Sequence, residues 1–246
     1  MVARAFRLLD AFSPDRPELT VRELALRSGV PRSTTHRLVG ELLEWGALER
    51  GPRGVRLGVK LFELGTRAPM PHRLVEGASP HLHTLRAFTG LTANLAVREG
   101  DHVVYLEKIG ARDLRVPHSR LGGRGELHAT ALGKAILAFS PGGDVDAYLE
   151  RPLPALTRAT ITDPDALRTE LARVRRAGAA YDLAESFDGL FCVAAPVRDR
   201  RGMALAALSV TGATARAQAE RFAPAVIATA RALERELASA PLPVIR

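Results

Sequence analysis

Six side chains in the first quarter of the chain have the types and spacing needed to read a nucleic acid. Arg32, Ser33, Thr34, His36 and Arg37 crowd the start of one segment, directly after Gly29-Val30-Pro31. Arg53 stands in the turn Gly51-Pro52-Arg53-Gly54. Short polar side chains and guanidinium forks at the N-terminal end of a helix reach base edges in a major groove. The same helix end offers free N–H groups to phosphate. An arginine flanked by turn glycines suits a phosphate or a minor groove. The plainer alternative is an ordinary helical hairpin with Arg32 and Arg37 as solvated charges; His36 suits a base contact and a surface position equally well.

The elements that would hold these residues are themselves legible. Thr20 with Glu23 three residues on predicts a capping box, opening a helix that runs to about residue 28. Gly29 ends it, because glycine takes positive φ at least cost. Pro31 suits the first turn of a new helix. Over residues 32–45 Thr35, Leu38, Val39 and Leu42 fall on one face and Ser33, Thr34, Arg37 and Glu41 on the other, a helical period; Gly46 ends it. Residues 47–50 and 55–57 read as two short strands around the turn that carries Arg53. Two helices joined through a glycine turn and followed by a hairpin make a winged helix-turn-helix over residues 20–57. The caps and the wing together weigh against the plain hairpin.

Composition agrees. The 246 residues are enough for two domains, and at 46% hydrophobic they can build a core. The net charge of +8 suits an anionic partner. Residues 1–66 hold eleven Lys/Arg against eight Asp/Glu, a modest local excess of +3. One cysteine, Cys192, excludes an intrachain disulfide and fits a reducing compartment. The N-terminus lacks a secretory apolar stretch, and no apolar run approaches the roughly 18 residues of a membrane span. The expectation is a cytoplasmic protein with no membrane partner.

Further along, a helix over residues 3–12 precedes the motif and another covers 58–66. Pro69 and Pro71 mark a break, and a helix from about 74 to 89 links the two halves. Strands are expected over 91–98 and 102–109, turning at Gly100-Asp101, and over 190–198 and 203–211, turning at residues 199–202. Helices are expected over 128–139, 144–149, 164–177 and 215–238. Antiparallel hairpins among helices, without regular βαβ repeats, give the α+β class. Ser209 and Thr211, two apart on a strand, share a face, and paired hydroxyls can donate to a carboxylate without a buried cation. An enzymatic reading would make Cys192 a nucleophile with His128 or Asp182 as partner, but no neighbouring histidine activates it; a small buried hydrophobe is the simpler role. His81 and His83, at i and i+2, do not share a helical face, and His72, His118 and His128 are scattered. No catalytic residue, metal or cofactor is assigned.

Three stretches resemble the IclR family of bacterial regulators. They are Leu19-Thr20-Val21-Arg22-Glu23-Leu24-Ala25 continuing through Gly29 to Leu38, Leu127-His128-Ala129-Thr130-Ala131-Leu132-Gly133-Lys134-Ala135, and Cys192 to Asp199 continuing through Gly202 to Gly212. The likeness runs from about residue 2 to 238. It implies a winged helix-turn-helix domain over 1–66, a linker helix over 67–90 and a GAF-like effector-binding domain over 91–246 with a mostly antiparallel sheet. It implies a regulator rather than an enzyme, dimeric through its DNA-binding half or tetrameric. Palindromic or near-palindromic operators and small organic-acid effectors, often aromatic, go with the family. Repression of catabolic genes is the expected mode, activation the alternative.

Carried onto this sequence, the family's effector positions fall at Ala129, Thr130, Asp182, Cys192, Ser209 and Thr211, with Leu114, Val116 and Leu127 as apolar wall. Backbone N–H groups near Thr130, at a helix start, could hold an anion. Two departures stand out: Ala184-Glu185 lies where the family often has two acidic residues, and Thr211 where serine is common. Asp182 would repel a carboxylate, which makes it an acceptor for a hydroxyl or an N–H, or more simply a loop cap.

Overall fold

The computed structural model describes residues 1–110, 116, 118–213 and 216–239. The chain divides into two compact units, Met1–His72 and Arg73–Arg246. Among the described residues no helix is long and apolar enough to cross a membrane.

The first unit runs α1 (Val2–Asp10), β1 (Glu18–Leu19), α2 (Val21–Ser28), α3 (Arg32–Trp45), β2 (Leu48–Arg50), β3 (Val55–Leu57) and α4 (Val59–Gly65). The capping box forms: Glu23 N donates to Thr20 Oγ1 at 3.2 Å and Thr20 N to Glu23 Oε2 at 2.8 Å. Gly29 and Gly46 end α2 and α3 in the left-handed conformation, with φ of 66° and 85°. The apolar face of α3 buries Leu38 and Val39 against Leu8, Leu24, Leu48 and Val55. Thr35 joins it without an unpaired hydroxyl, since its Oγ1 donates to the carbonyls of Val30 and Pro31 at 3.2 Å. The hairpin gains a third strand, β1, which pairs with β3 through Leu19 and Val55. At two residues, right after Pro17, β1 is too short to leave a period in the sequence. A Cβ on Gly54 would lie 2.2 Å from the Leu19 carbonyl oxygen, so glycine there is what lets the wing close on β1.

The second element group begins with α5 (Pro69–Thr89), which starts five residues before the expected 74 because Pro69 and Pro71 sit in its first turn, where no intrahelical donor is lost. Then follow β4 (Thr92–Glu99), β5 (His102–Ile109), β6 (Arg124–Glu126), α6 (Ala131–Ala138), α7 (Gly142–Leu149), α8 (Pro164–Ala177), β7 (Ala180–Leu183), β8 (Phe191–Arg198), β9 (Ala204–Gly212) and α9 (Arg216–Ser239). Strands β6 and β7, absent from the expectation, flank a six-stranded antiparallel sheet ordered β6-β5-β4-β9-β8-β7. The four expected strands form its interior. This is the α+β, mostly antiparallel architecture read from the sequence.

Strand alternation sorts the sheet's residues. Ala96, Tyr105, Ala180, Cys192, Ala194 and Ala207 pack with α6, α7 and α8 on one face. Against the other face lies α9, burying Val226, Ala230 and Leu233. Helix α5 packs on α9, where a Cβ on Gly77 would sit 3.5 Å from Leu233 and Leu237. Every residue of α6 is buried, including Lys134. Its ammonium donates to both carboxylate oxygens of Glu185, at 2.5 and 2.7 Å, and lies 3.8 Å from Glu170. A Cβ on Gly133 would fall 2.3 Å from the Leu127 carbonyl oxygen, so the turn into α6 also requires glycine.

Candidate functional site

The residues expected to read a nucleic acid stand on the outer face of α3. Arg32, Ser33, His36 and Arg37 are exposed and Thr34 half-buried, while Thr35, Leu38 and Val39 face inward. The sequence therefore divides the two faces of this helix as its period indicates. Because Pro31 takes no side-chain capping role, the first amides of α3 have no capping side chain. Arg37 is paired on the surface with Glu41, one turn on, at 2.5 Å, with both partners half exposed. Such a pair contributes about 0.3–0.5 kcal/mol, so the guanidinium exchanges easily for another acceptor. At the wing tip Glu18 accepts the backbone amides of Arg53 and of Gly54, the latter at 2.7 Å. The Arg53 guanidinium itself stays exposed, 3.9 Å from the same carboxylate. The wing backbone is thus fixed while its cation is free to reach outward.

In the second unit the strand register gathers polar side chains from distant segments. Asp182 pairs with Cys192, Cys192 with Thr211, and Asn94 with Ser209. All lie on the sheet face that α6 covers. Asp182, Cys192, Ser209 and Thr211 line a cavity together with Tyr105, His118, Ser119, Thr130, Ala131, Leu132 and Leu190, and Asn94 bonds to this lining from beside it. The side chains leave room for about one water molecule between them.

Of the six positions expected to meet an effector, Thr130, Asp182, Cys192, Ser209 and Thr211 line this cavity. Ala129 is fully buried outside the lining, and Val116 and Leu127 belong to the apolar cluster behind it. Leu114 lies outside the described residues. Much of the polar capacity is already used. Asn94 Nδ2 donates to Ser209 Oγ and Thr211 Oγ1, each at 3.2 Å, and its Oδ1 accepts from Ser119 Oγ at 3.5 Å. Thr211 donates to Cys192 Sγ at 3.2 Å. Thr130 Oγ1 caps α6, accepting from Gly133 N at 3.0 Å and donating to the Glu126 carbonyl at 2.9 Å. Asp182 caps its own turn: Oδ1 accepts from Glu185 N and Ser186 N at 2.7 and 3.2 Å, and Oδ2 accepts from the Ser186 hydroxyl. Ser209 keeps its hydroxyl proton, and Ala131 and Leu132, the first two residues of α6, bring amides that precede the helix's own acceptors.

Sequence reasoning missed Asn94, Tyr105, His118 and Ser119. Asn94 left a signal, an amide in an otherwise apolar strand where asparagine is unfavourable. Nothing local marks the other three.

Electrostatics disfavour a nucleophile. Burial and the neighbouring Asp182 push the Cys192 thiol well up, against a smaller opposing effect of the Thr211 hydrogen bond, so little thiolate exists near neutral pH. His128 is engaged elsewhere, its Nδ1 2.9 Å from the Tyr148 hydroxyl and its Nε2 3.0 Å from the Pro154 carbonyl oxygen. Burial raises the Asp182 carboxyl pKa, opposed by the bonds from Ser186 and Glu185. Burial, with Lys108 adding to it, lowers His118 to about 4. His81 bonds to Glu236 at 2.9 Å. Among the described residues no three His, Cys, Asp or Glu side chains group as a metal site.

Residues 1–52 match the IclR helix-turn-helix domain, and residues 70–235 match the C-terminal domain of bacterial IclR transcriptional regulators. The chain belongs to the IclR family. IclR-family proteins are DNA-binding transcriptional regulators and not enzymes. The chain is 34% identical over 218 residues to the regulator XynR of Escherichia coli, covering 87% of this chain and 86% of XynR. It is 31% identical over 225 residues to the E. coli transcriptional repressor IclR, covering 89% and 82% of the two chains. Among solved structures, an IclR homologue from Microbacterium hydrocarbonoxydans in complex with 4-hydroxybenzoate superposes with a TM-score of 0.88 at 33% identity, covering 96% of this chain and 98% of the other. Together the two matches contain residues 19–38, 127–135 and 192–212.

Proposed function

We propose that this IclR-family regulator represses catabolic genes by holding a palindromic or near-palindromic operator as a homodimer or tetramer in the cytoplasm, and lets go when a small organic acid enters and widens the cavity behind α6. In this reading residues 1–66 bind DNA, 67–90 link, and 91–246 sense the effector. The observation that carries it is the row Arg32, Ser33, Thr34, His36 and Arg37, exposed along one face of a helix whose other face is core. Arg53 on the wing adds a phosphate contact. Assembly through the first unit is supported by its uncovered apolar surface: against the described residues α4 buries no side chain, and Val59 and Phe62 are exposed, as are Val2 and Phe6 on α1. Apolar faces of this kind mark interfaces.

An organic acid suits the cavity because Ser209 keeps a donor and α6 presents its first amides, which hold an anion without a buried cation. The homologue bound to 4-hydroxybenzoate supports the same class of ligand. Regulation requires only that effector and DNA favour different arrangements of the protein, with a coupling of about 1–3 kcal/mol. A mobility-shift titration on the gene's own upstream DNA tests the reading. The expected result is a complex that weakens steeply as salt rises and dissolves when a binding acid, found by thermal shift, is added. No complex at low salt with folded protein rejects DNA binding; a complex that the acid strengthens rejects release as the mode of control.

A further inference from the structure

We propose that Tyr105 and His118 form a hydroxyl-reading end of the cavity in the second unit, selecting ligands that carry an uncharged hydroxyl group. The proposal rests on the reading of that cavity as the effector site. Its basis is a mismatch in polar bookkeeping. Among the described residues every side-chain nitrogen or oxygen sealed from solvent has a hydrogen-bond partner. Tyr105 is only 4% exposed, yet neither its hydroxyl nor a His118 ring nitrogen is bonded to any described residue. The Tyr105 hydroxyl therefore opens into the cavity it lines. Its ring lies 6.2 Å, centroid to centroid, from the His118 imidazole, which lines the same space.

Leaving such groups without a fixed partner costs stability, whereas the Asn94, Ser209, Thr211 and Cys192 side chains beside them satisfy one another. The chemistry of the open pair is specific. A phenol hydroxyl donates and accepts, and a neutral imidazole offers one donor and one acceptor nitrogen. Burial beside Lys108 keeps the imidazole neutral at physiological pH. Neither group brings positive charge, and the Asp182 carboxylate lines the same cavity, so an anion is poorly served at this end. A ligand hydroxyl, which donates and accepts at one atom, fits both partners. The carboxylate of an acid effector then belongs with the Ala131 and Leu132 amides. A site built around a hydroxyl discriminates strongly against the analogue that lacks it, because its own polar groups are then left unpaired.

The test uses the intact protein and four probes in calorimetric titrations: 4-hydroxybenzoate, benzoate, phenol and toluene. Each hydroxylated probe should bind about tenfold tighter than its plain counterpart. Tyr105→Phe should bring 4-hydroxybenzoate down to the affinity of benzoate and leave benzoate itself unchanged. The ligand-free melting temperature should not fall, since the lost hydroxyl has no protein partner. His118→Phe should also erase the preference, and His118→Gln, which keeps a donor and an acceptor, should restore part of it. Phenol bound better than toluene while neither acid binds would uphold the hydroxyl-reading end and overturn the organic-acid reading. Equal affinity within each pair, a preference that survives Tyr105→Phe, or no binding by any of the four would overturn the proposal.

Discussion

The two units prepare for their partners in opposite ways. On α3 the groups proposed to read DNA stand at the surface, with one surface ion pair among them, and are supported from behind by an apolar face. Behind α6 the polar groups are buried, and most are bonded to one another before any ligand arrives. The difference follows from what each partner does to water. DNA brings its own charge and hydrated grooves, so its reader can remain a solvated surface whose cations exchange one acceptor for another at little cost. A small ligand enters a space from which water is excluded, where each unsatisfied group is expensive. On the proposed reading, the cavity keeps most of its hydrogen bonds internally satisfied and leaves open those that a ligand would complete.

The largest expected effect comes from breaking the buried side of this comparison. Glu185→Ala strands the Lys134 ammonium, which is 1% exposed, with only Glu170 at 3.8 Å. Removing one partner of a buried pair costs about 3–5 kcal/mol, and Glu170 holds the loss toward the lower end. Urea unfolding should report it. The surface counterpart, Glu41→Ala, should change stability by less than about 0.5 kcal/mol. Arg37→Ala should leave the fold intact and cost about 1–3 kcal/mol in operator affinity, with blunted base preference, measured by fluorescence anisotropy. Arg53→Ala should weaken binding nearly evenly across DNA sequences and flatten the salt dependence by about one released counterion.

Acid sharpens the contrast. The folded-state pKa of His118 lies near 4, below its ordinary 6.5. Above about pH 6.5 the imidazole is neutral in both states and costs nothing. As pH falls from 6.5 toward 4, the unfolded chain takes up a proton that the folded chain refuses, so stability is lost through that window and levels off below it. Burial raises the Asp182 and Glu185 carboxyls, an effect of opposite sign that offsets part of the loss at its acid end. The net fall should be at most about 2 kcal/mol, smaller in His118→Phe, and followed by thermal melts from pH 7.5 to 4.

These contrasts also explain what could be read without coordinates. The capping box, the two terminal glycines and the wing are local devices, each written within a few adjacent residues, and they led directly to the exposed face of α3 that is proposed to read DNA. The cavity of the second unit is assembled by register. Asn94 and Ser209 are neighbours across two strands but 115 positions apart in the chain, and no periodicity joins them. Strand β7 escaped because it is four residues long with a charged Asp182 inside it. Ala184 takes φ of 63°, a conformation that a non-glycine residue does not announce. Its neighbour Glu185, read as a departure in an acidic segment, proved to be the partner of Lys134.

The measurement that bears most directly on the account is affinity for the gene's upstream DNA compared with a scrambled fragment of equal length, across a salt series. The account predicts that the upstream fragment binds at least about a thousandfold tighter at physiological salt, that both affinities fall linearly on a logarithmic salt scale, and that Arg37→Ala narrows the gap between them. Equal binding of the two fragments, or a gap unmoved by Arg37→Ala, would contradict the assignment of the α3 face as the sequence reader.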